Sequence, residues 1–407
     1  MRFLLLLRLW FVWLPGAVPV TAAEPASSSS VPTAAPQPVV MDTLHEVPRV
    51  SLLLDPTLCD GFDFPVGDVN GKGTYRDKAT RRYHQGWNVA SEEPTSAGAS
   101  KVPFIGETWN GKGGAATDAG QPVYAIASGI VRAISDSPGG QVLEIEHRFL
   151  ENGTLRTAVS LYRGVGGRLV KEGDAIKRRQ QIGVIARAEG EVPTQLTLGL
   201  KVAGATPIPA PGAATQSPTP SVSITPSAFI RERRKLLVPA RELEIFIAMK
   251  RDYRLYLFRK GKLVRFFPIA LSQDPIGPKR REGDNRTPEG EYRVTQKAKG
   301  PFEGEYGAYL GKAWIRISYP NAYDARAALA EGRITVSQCA AIVSATKKRK
   351  MPPAKTALGG GVGIHGWASD WPDGPQDLTW GCLSLRHEDL MAVYDLMKEG
   401  LVILICP

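Results

Sequence analysis

Apolar and polar positions alternate in short bursts through the middle of this chain, and glycines break the bursts apart. PVYAIASGIVRAI, QVLEIEH and TAVSLY carry the two-residue period between Ser51 and Gly204, punctuated by Gly139-Gly140 and Gly166-Gly167. That period sends successive side chains to opposite faces of a pleated sheet, so this region predicts an all-β domain. Further along, ELEIFIAM and YRLYLFRKGKLVRFFPIAL predict a second set of strands, with Lys260-Gly261 as a hairpin turn. The pattern then lengthens, and ARAALAEGR, SQCAAIVSATKKRK and EDLMAVYDLMKEG predict helices, the last one stopped by Gly400. LVILICP is apolar almost throughout and reads as a buried closing strand. GIHGWASDWPDGPQDLTWGCLSL, from Gly363 to Leu385, follows neither period and reads as a loop. The fold class predicted is mainly β and multidomain: an all-β N-terminal domain and a mixed, β-rich C-terminal domain with a few helices.

Two stretches have no pattern. EPASSSSVPTAAPQPVV and ATPIPAPGAATQSPTPSVSITP are Ser/Pro/Ala-rich and carry too little apolar surface to order themselves. They predict a tether over residues 24–50 and a linker over 205–227, which separate a domain at 51–204 from one at 228–407. The first 23 residues, a basic start followed by FLLLLRLWFVWLPGAV and a small-residue exit at Ala22-Ala23, read as a signal peptide. Arg8 interrupts the apolar run, which makes an uncleaved anchor the weaker reading. No other segment is long and apolar enough to span a bilayer, so the mature chain is expected to be exported, to the periplasm or cell envelope, without a transmembrane segment.

Charge and cysteines refine this picture. The formal net charge of +11 over 407 residues favours an anionic neighbourhood. Lys and Arg are nowhere interleaved with aromatics as in a nucleic-acid stripe, so an anionic envelope is expected as partner and nucleic acid is not. Cys59, Cys339, Cys382 and Cys406 show no regular spacing. If Cys382 is a free thiol, at most one disulfide can form among the others.

Cys382 follows Gly381 in a turn, and His365 lies upstream after the strand-like VGI. An imidazole beside a thiol can take its proton and generate the attacking thiolate. A glycine at 381 lets the backbone bend so that neighbouring N–H groups point at a developing oxyanion. A Cys and a His alone equally describe a small buried hydrophobe and a hydrogen-bonded loop histidine. The surrounding residues decide. His365-Gly366 followed by Thr379-Trp380-Gly381-Cys382 resembles the signature of the L,D-transpeptidase (YkuD-type) catalytic domain. The resemblance extends upstream through Gly283-Asp284-Asn285-Arg286-Thr287-Pro288-Glu289-Gly290, ISYPNAYD and LGGGVGIHG, in family order. Two positions depart from the common pattern: Trp380 replaces a second histidine before Gly-Cys, and Ser384 replaces Arg or Asn after it. DLTWGCLSL is most similar to a branch typified by Asp-Trp-Thr-x-Gly-Cys-Ile-Ala-Leu.

The resemblance implies a cofactor-free acyltransferase acting on peptidoglycan. Cys382 attacks a stem-peptide carbonyl, His365 moves the proton, and the backbone at Gly381 holds the oxyanion. Gly366, Thr379, Trp380 and Ser384 are substrate-binding candidates, and no metal is implied. Trp367 and Trp371 are equally readable as groove lining and as loop packing, and His387 as a helix-start residue near the surface. Hydrolysis, as an L,D-carboxypeptidase or at a wall-attached protein, is the alternative outcome, and a non-catalytic wall-binding scaffold is a second alternative.

The N-terminal domain, roughly Asp60 to Val202, resembles the LytM-type zinc endopeptidase β-domain around Trp109-Asn110-Gly111 and Pro122-Val123-Tyr124-Ala125. That family holds zinc through His-x-x-x-Asp and a later His-x-His. Here Phe104 and Thr108 occupy the first pair of positions, Gln195 and Thr197 the second, and SLYRGV lacks the histidine expected after its tyrosine. Such side chains cannot make the three-ligand site that catalytic zinc needs. His84 and His147 sit away from those positions and read as surface or strand-edge residues. The domain is therefore expected to be a pseudo-enzyme that docks peptidoglycan or another envelope enzyme, with the linker setting its reach.

Overall fold

Two strands that read as unbroken apolar runs show how the molecule is assembled. Ile245–Met249 and Val402–Cys406 pair in parallel, Phe246 opposite Ile403, inside an eight-stranded sheet. Every residue of both strands is buried, because both faces of the sheet are covered. Phe246, Ala248, Ile403 and Ile405 face one core, closed by Leu390 and Val393 of the helix His387–Leu396. Ile245, Ile247, Met249, Val402, Leu404 and Cys406 face another, shared with Val50, Leu53, Leu54, Leu58 and Leu150 from the N-terminal part of the chain.

The computed structural model describes residues 48–67, 87–91, 106–111, 113, 115–187, 194–203 and 222–407. The signal peptide, almost all of the tether and most of the linker expected from the sequence lie outside the described residues, as do Phe104 and His84. No helix among the described residues is long and apolar enough to cross a membrane.

The C-terminal sheet runs Lys262–Pro268, Arg254–Arg259, Ile245–Met249, Val402–Cys406, Gly290–Lys299, Ala313–Ile317, Gly363–His365, Leu383–Ser384. Lys260 and Gly261 make its first hairpin turn with positive φ angles of 47° and 73°, as their sequence predicts. The region from Gly363 to Leu385 is not loop alone. It contributes Gly363–His365 and Leu383–Ser384 to the sheet edge, and Asp377–Thr379 pairs in parallel with Leu271–Ser272. Segments of two or three residues are too short to show a period, which is why the pattern hides them. The three predicted helices are present as Ala322–Ala330, Val336–Lys347 and His387–Leu396; the last ends four residues before Gly400. Asn321 and Thr335 start the first two with capping boxes.

The N-terminal sheet is built on the long hairpin Gly140–Glu151/Thr154–Gly166, flanked by Gly129–Ser137 on one side and Leu196–Val202, Gly106–Gly111 and Trp87–Ser91 on the other. Inward residues Leu143, Ile145, His147 and Phe149 alternate with outward ones. His147 is therefore a core residue, not the surface or strand-edge residue expected. It occupies an inward position of a twelve-residue strand, and its ring nitrogens meet Ser128 O at 2.9 Å and Ser160 Oγ at 2.7 Å.

The chain is woven into this first body beyond the linker. Val222–Ser223 pairs with Leu196–Val202, and the helix Pro226–Glu232 places Phe229 and Ile230 in the first core. The expected boundary at 227/228 thus falls inside a segment packed on the first domain. Both domains belong to a single compact unit. The tip of the long hairpin reaches the second domain. Asn152 Oδ1 accepts from Glu291 N–H at 3.0 Å and from Asn321 Nδ2 at 2.7 Å, and Cys406 Sγ–H points at Gly153 O.

Candidate functional site

The strand Gly363–His365 pairs in parallel with Leu383–Ser384, Ile364 against Leu383 and His365 against Ser384. Ile364 and Leu383 enter the core, so alternation turns His365 and Ser384 to the other face. Cys382 lies one residue ahead of Leu383, in the bend that leads into this strand. The register thus sets the bend that carries Cys382 alongside the strand that carries His365, with Cys382 partly packed against the same core. Cys382 is half-buried, with Sγ 4.0 Å from Gly361 O, while His365 is buried.

Burial sets the charge state of both groups. It pushes the Cys382 thiol up to about 11, against the Gly363 backbone and the Lys279 ammonium, which both pull it down. It pushes His365 down to about 4, opposed by the backbone carbonyls of Gly366 and Tyr309. At neutral pH the pair rests as thiol and neutral imidazole, the state from which a general base can accept a proton. His365 Nδ1 lies on the Gly366 carbonyl, and the ring is stacked near Trp367 at 6.4 Å and tilted against Trp314 at 5.8 Å. Carbonyl oxygens and aromatic faces both favour the imidazolium that proton transfer creates.

The other expected site residues divide into two groups. Thr379 and Ser384 are buried, and each makes hydrogen bonds inside the loop. Thr379 Oγ1 donates to Cys382 O at 2.6 Å and accepts from Gly381 N–H at 3.3 Å, closing the turn that carries the sulfur. Ser384 Oγ donates to Gly366 O at 2.7 Å, the same carbonyl that faces His365. Gly366 is confined by His387, whose Cδ2 lies 3.0 Å from where a Cβ would stand. Gly381, at φ 138°, would place a Cβ 3.0 Å from Arg286 O. Its N–H, expected to hold an oxyanion, is engaged by Thr379 in this resting structure.

Trp380 is different. It is 46% exposed and meets Tyr306 and Tyr309 edge-on at 5.8 and 5.4 Å, with Trp367 at 6.0 Å, so an aromatic wall stands beside the cysteine. Trp371 is buried, with the Arg386 guanidinium 5.9 Å above its ring, and is loop packing.

Sequence reading missed the part played by His387. Its Nε2 bonds Trp367 O at 2.9 Å, and its N–H donates to Asp370 Oδ1 at 3.0 Å, pinning the segment after His365. No periodic signal marks such a contact.

In the N-terminal domain, Thr108 stands directly opposite Thr197, and Thr197 opposite Arg163, across three adjacent strands. The positions expected to correspond to the family's metal site are therefore brought together, but they carry hydroxyls and a guanidinium. Among the described residues, no group of three or more His, Cys, Asp or Glu side chains is arranged to hold a metal ion. All four cysteines are free thiols.

Comparison with known proteins assigns both regions. Residues 243–405 match the L,D-transpeptidase catalytic domain (YkuD) and residues 108–208 match peptidase family M23. Among solved structures, similarity is found to the helical cell shape determining protein Pgp2 from Campylobacter jejuni, at 22% identity over 40% of this chain and 47% of that one, TM-score 0.26. An L,D-transpeptidase from Stackebrandtia nassauensis matches at 11% identity over 41% of this chain and 57% of that one, TM-score 0.25. A zinc-containing peptidase from Vibrio cholerae matches at 26% identity over 35% of this chain and 37% of that one, TM-score 0.21. The chain spans about half the length of the first solved structures it matches. No curated protein matches it. The chain thus carries a YkuD-type L,D-transpeptidase domain preceded by an M23-type domain.

Proposed function

We propose that this chain is an exported cysteine L,D-transpeptidase that remodels peptidoglycan stem peptides through a thioester on Cys382. The observation that carries the proposal is the parallel pairing of Gly363–His365 with Leu383–Ser384, which runs the segment of a half-exposed thiol beside that of a buried imidazole. Cys382 Sγ attacks the amide carbonyl after the third residue of the stem while its proton passes to His365. The tetrahedral oxyanion is met by backbone N–H groups at Cys382 and at Gly381, the latter exchanging its bond from Thr379 Oγ1. Collapse breaks the C–N bond, and the imidazolium protonates the leaving D-alanine amine. An amine from a second stem then attacks the thioester, forms the new amide and returns the proton to sulfur.

Thr379 and Ser384 act in this scheme as positioning residues, one for the cysteine turn and one for the Gly366 carbonyl. Trp380 and its aromatic neighbours form the wall on which the stem peptide lies, while Gly366 lets the His387 ring close against the backbone after His365. The M23-type domain serves as a docked support and a wall-binding surface.

Muropeptide analysis after incubating purified protein with tetrapeptide-rich sacculi tests the reading. Cross-linked 3→3 dimers that vanish in Cys382→Ala are expected. Trimmed tripeptides without dimers would replace transfer by hydrolysis, and no change relative to Cys382→Ala would leave only a scaffold.

A further inference from the structure

Asp284 lies in the turn Gly283–Gly290, whose sequence announces a turn but gives it no chemical role. Its Oδ2 accepts the N–H groups of Arg280 at 2.6 Å and Arg281 at 3.0 Å. Its Oδ1 accepts Arg286 N–H at 3.2 Å and the Lys279 ammonium at 2.7 Å. Both partners of this ion pair are nearly buried, at 5% and 9% exposure, so solvent and salt screen it little. Three backbone dipoles meet the carboxylate end. The ammonium end faces elsewhere: Lys279 Nζ lies 3.7 Å from the point where a Cβ on Gly381 would stand. The turn thus packs onto the residue before Cys382 through Arg286 O, 3.0 Å from that same point, and this tight approach and the φ of 138° are what glycine at 381 permits.

The other buried ammonium of this region shows the contrast. Lys250 Nζ is saturated by Gly277 O at 2.6 Å, Glu289 Oε1 at 2.7 Å and Thr287 O at 3.4 Å, and it braces the far end of the same turn. Of the two, Lys279 is the one set against the residue before Cys382, and its charge pulls the thiol down.

We propose that Lys279, clamped by Asp284 beneath Gly381, is a positioning residue whose fixed positive charge stabilises the Cys382 thiolate. It touches no reacting atom. It makes the S–H bond easier to break as the proton leaves for His365, in a site where burial opposes charge on sulfur. The inference rests on the reading of Cys382 as nucleophile, but it is tested on the thiol alone, without peptidoglycan.

The experiment follows the rate of Cys382 alkylation by iodoacetamide against pH in the full-length protein, with the modified peptide quantified by mass. Lys279→Met is expected to move the midpoint of the profile upward by about one pH unit, a roughly tenfold slower reaction at any pH below it. Lys279→Arg keeps the charge and is expected to keep the wild-type midpoint to within a few tenths of a unit. Should the Met variant not fold, Lys279→Gln, which still reaches Asp284 without charge, is read in its place. A folded neutral variant whose profile overlays the wild type overturns the proposal. So does a shift of equal size in Lys279→Arg, which would make the effect one of shape rather than charge. An upward shift accompanied by no muropeptide activity in the wild type would leave Lys279 in its role and remove the peptidoglycan reading.

Discussion

His147 and His365 are both buried, one in each domain, and burial pushes both down to about 4. Their surroundings differ in kind. His147 is bracketed by one carbonyl and one hydroxyl, Ser128 O and Ser160 Oγ, and lies edge-on to Phe62 at 5.7 Å. Both ring nitrogens are engaged, and the ring works as a polar pillar of the core. His365 lies between two backbone carbonyls and two indoles, at the sheet edge that also carries a half-exposed thiol. A depressed pKa alone separates nothing; what matters is whether the environment can accept the charge that chemistry would create. The two candidate sites repeat the lesson. Each fold still delivers its positions to one place, but the N-terminal sheet delivers Thr108, Thr197 and Arg163, while the C-terminal sheet delivers a sulfur and an imidazole.

The sharpest test of this contrast is to damage each site in turn. Cys382→Ala is expected to lower turnover on stem peptides by at least about a thousandfold, because no other group supplies the covalent step. Thr197→Val, between Thr108 and Arg163 in the first sheet, is expected to leave turnover per folded molecule within about twofold. Comparable losses in both variants, measured as kcat/KM on one muropeptide substrate, would mean that the first domain takes part in chemistry.

How much of this was legible beforehand depends on how far apart the partners lie in sequence. The family of the C-terminal domain was legible because His365, Gly381 and Cys382 fall in a short ordered motif. The longer strands were legible from alternation or from unbroken apolar runs, and the place of His147 should have been, since Leu143, Ile145, His147 and Phe149 share one parity. The Gly366 carbonyl that Ser384 and His365 share, the His387 brace and the approach of Lys279 to Gly381 were not. These contacts join residues up to about a hundred positions apart, and no period records them. The rigid junction was hidden for a similar reason. A proline-rich linker advertises freedom, whereas the hairpin tip at Asn152 and the core around Leu150 and Leu404 remove it.

Acid acts alike on the stability that the two histidines contribute, and only turnover separates them. In the unfolded chain each titrates near pH 6.5. Above that pH neither state binds the proton and the native state keeps its full stability. As pH falls from 6.5 toward 4, the unfolded chain takes up protons that the folded one refuses, and stability is lost across that window by up to about 3 kcal/mol per histidine. Asp324, pushed up to about 7 by burial, has the opposite sign and gains stability as pH falls. Urea unfolding of His147→Asn and His365→Asn, subtracted from wild type at each pH, isolates the histidines. Both differences are expected to grow from pH 4 to 6.5, and only His365→Asn is expected to abolish turnover. A flat difference for His147 would mean its ring is not held neutral.

The junction gives a smaller effect, in stability alone. Asn152→Ala removes the acceptor for Glu291 N–H and Asn321 Nδ2, and is expected to lower unfolding free energy by about 2 kcal/mol while turnover of the folded protein stays within twofold. A loss of turnover without a loss of stability would show that the first domain tunes the second instead of supporting it.

The finest distinction lies in two serines, each one hydrogen bond away from a buried histidine's environment. Ser160 Oγ bonds His147 directly at 2.7 Å, and Ser384 Oγ bonds the Gly366 carbonyl that faces His365 at 2.7 Å. Ser160→Ala leaves a buried ring nitrogen without its partner, so it is expected to lower the melting temperature and leave kcat alone. Ser384→Ala frees the carbonyl that orients the base. It is expected to reduce kcat about tenfold, roughly 1.4 kcal/mol of transition-state stabilisation, with KM within twofold and little change in melting. The split between kcat and melting temperature is the readout. If Ser384→Ala behaved as Ser160→Ala does, the Gly366 carbonyl would be packing for the loop, and the difference between the two histidines would reduce to the presence of a sulfur nearby.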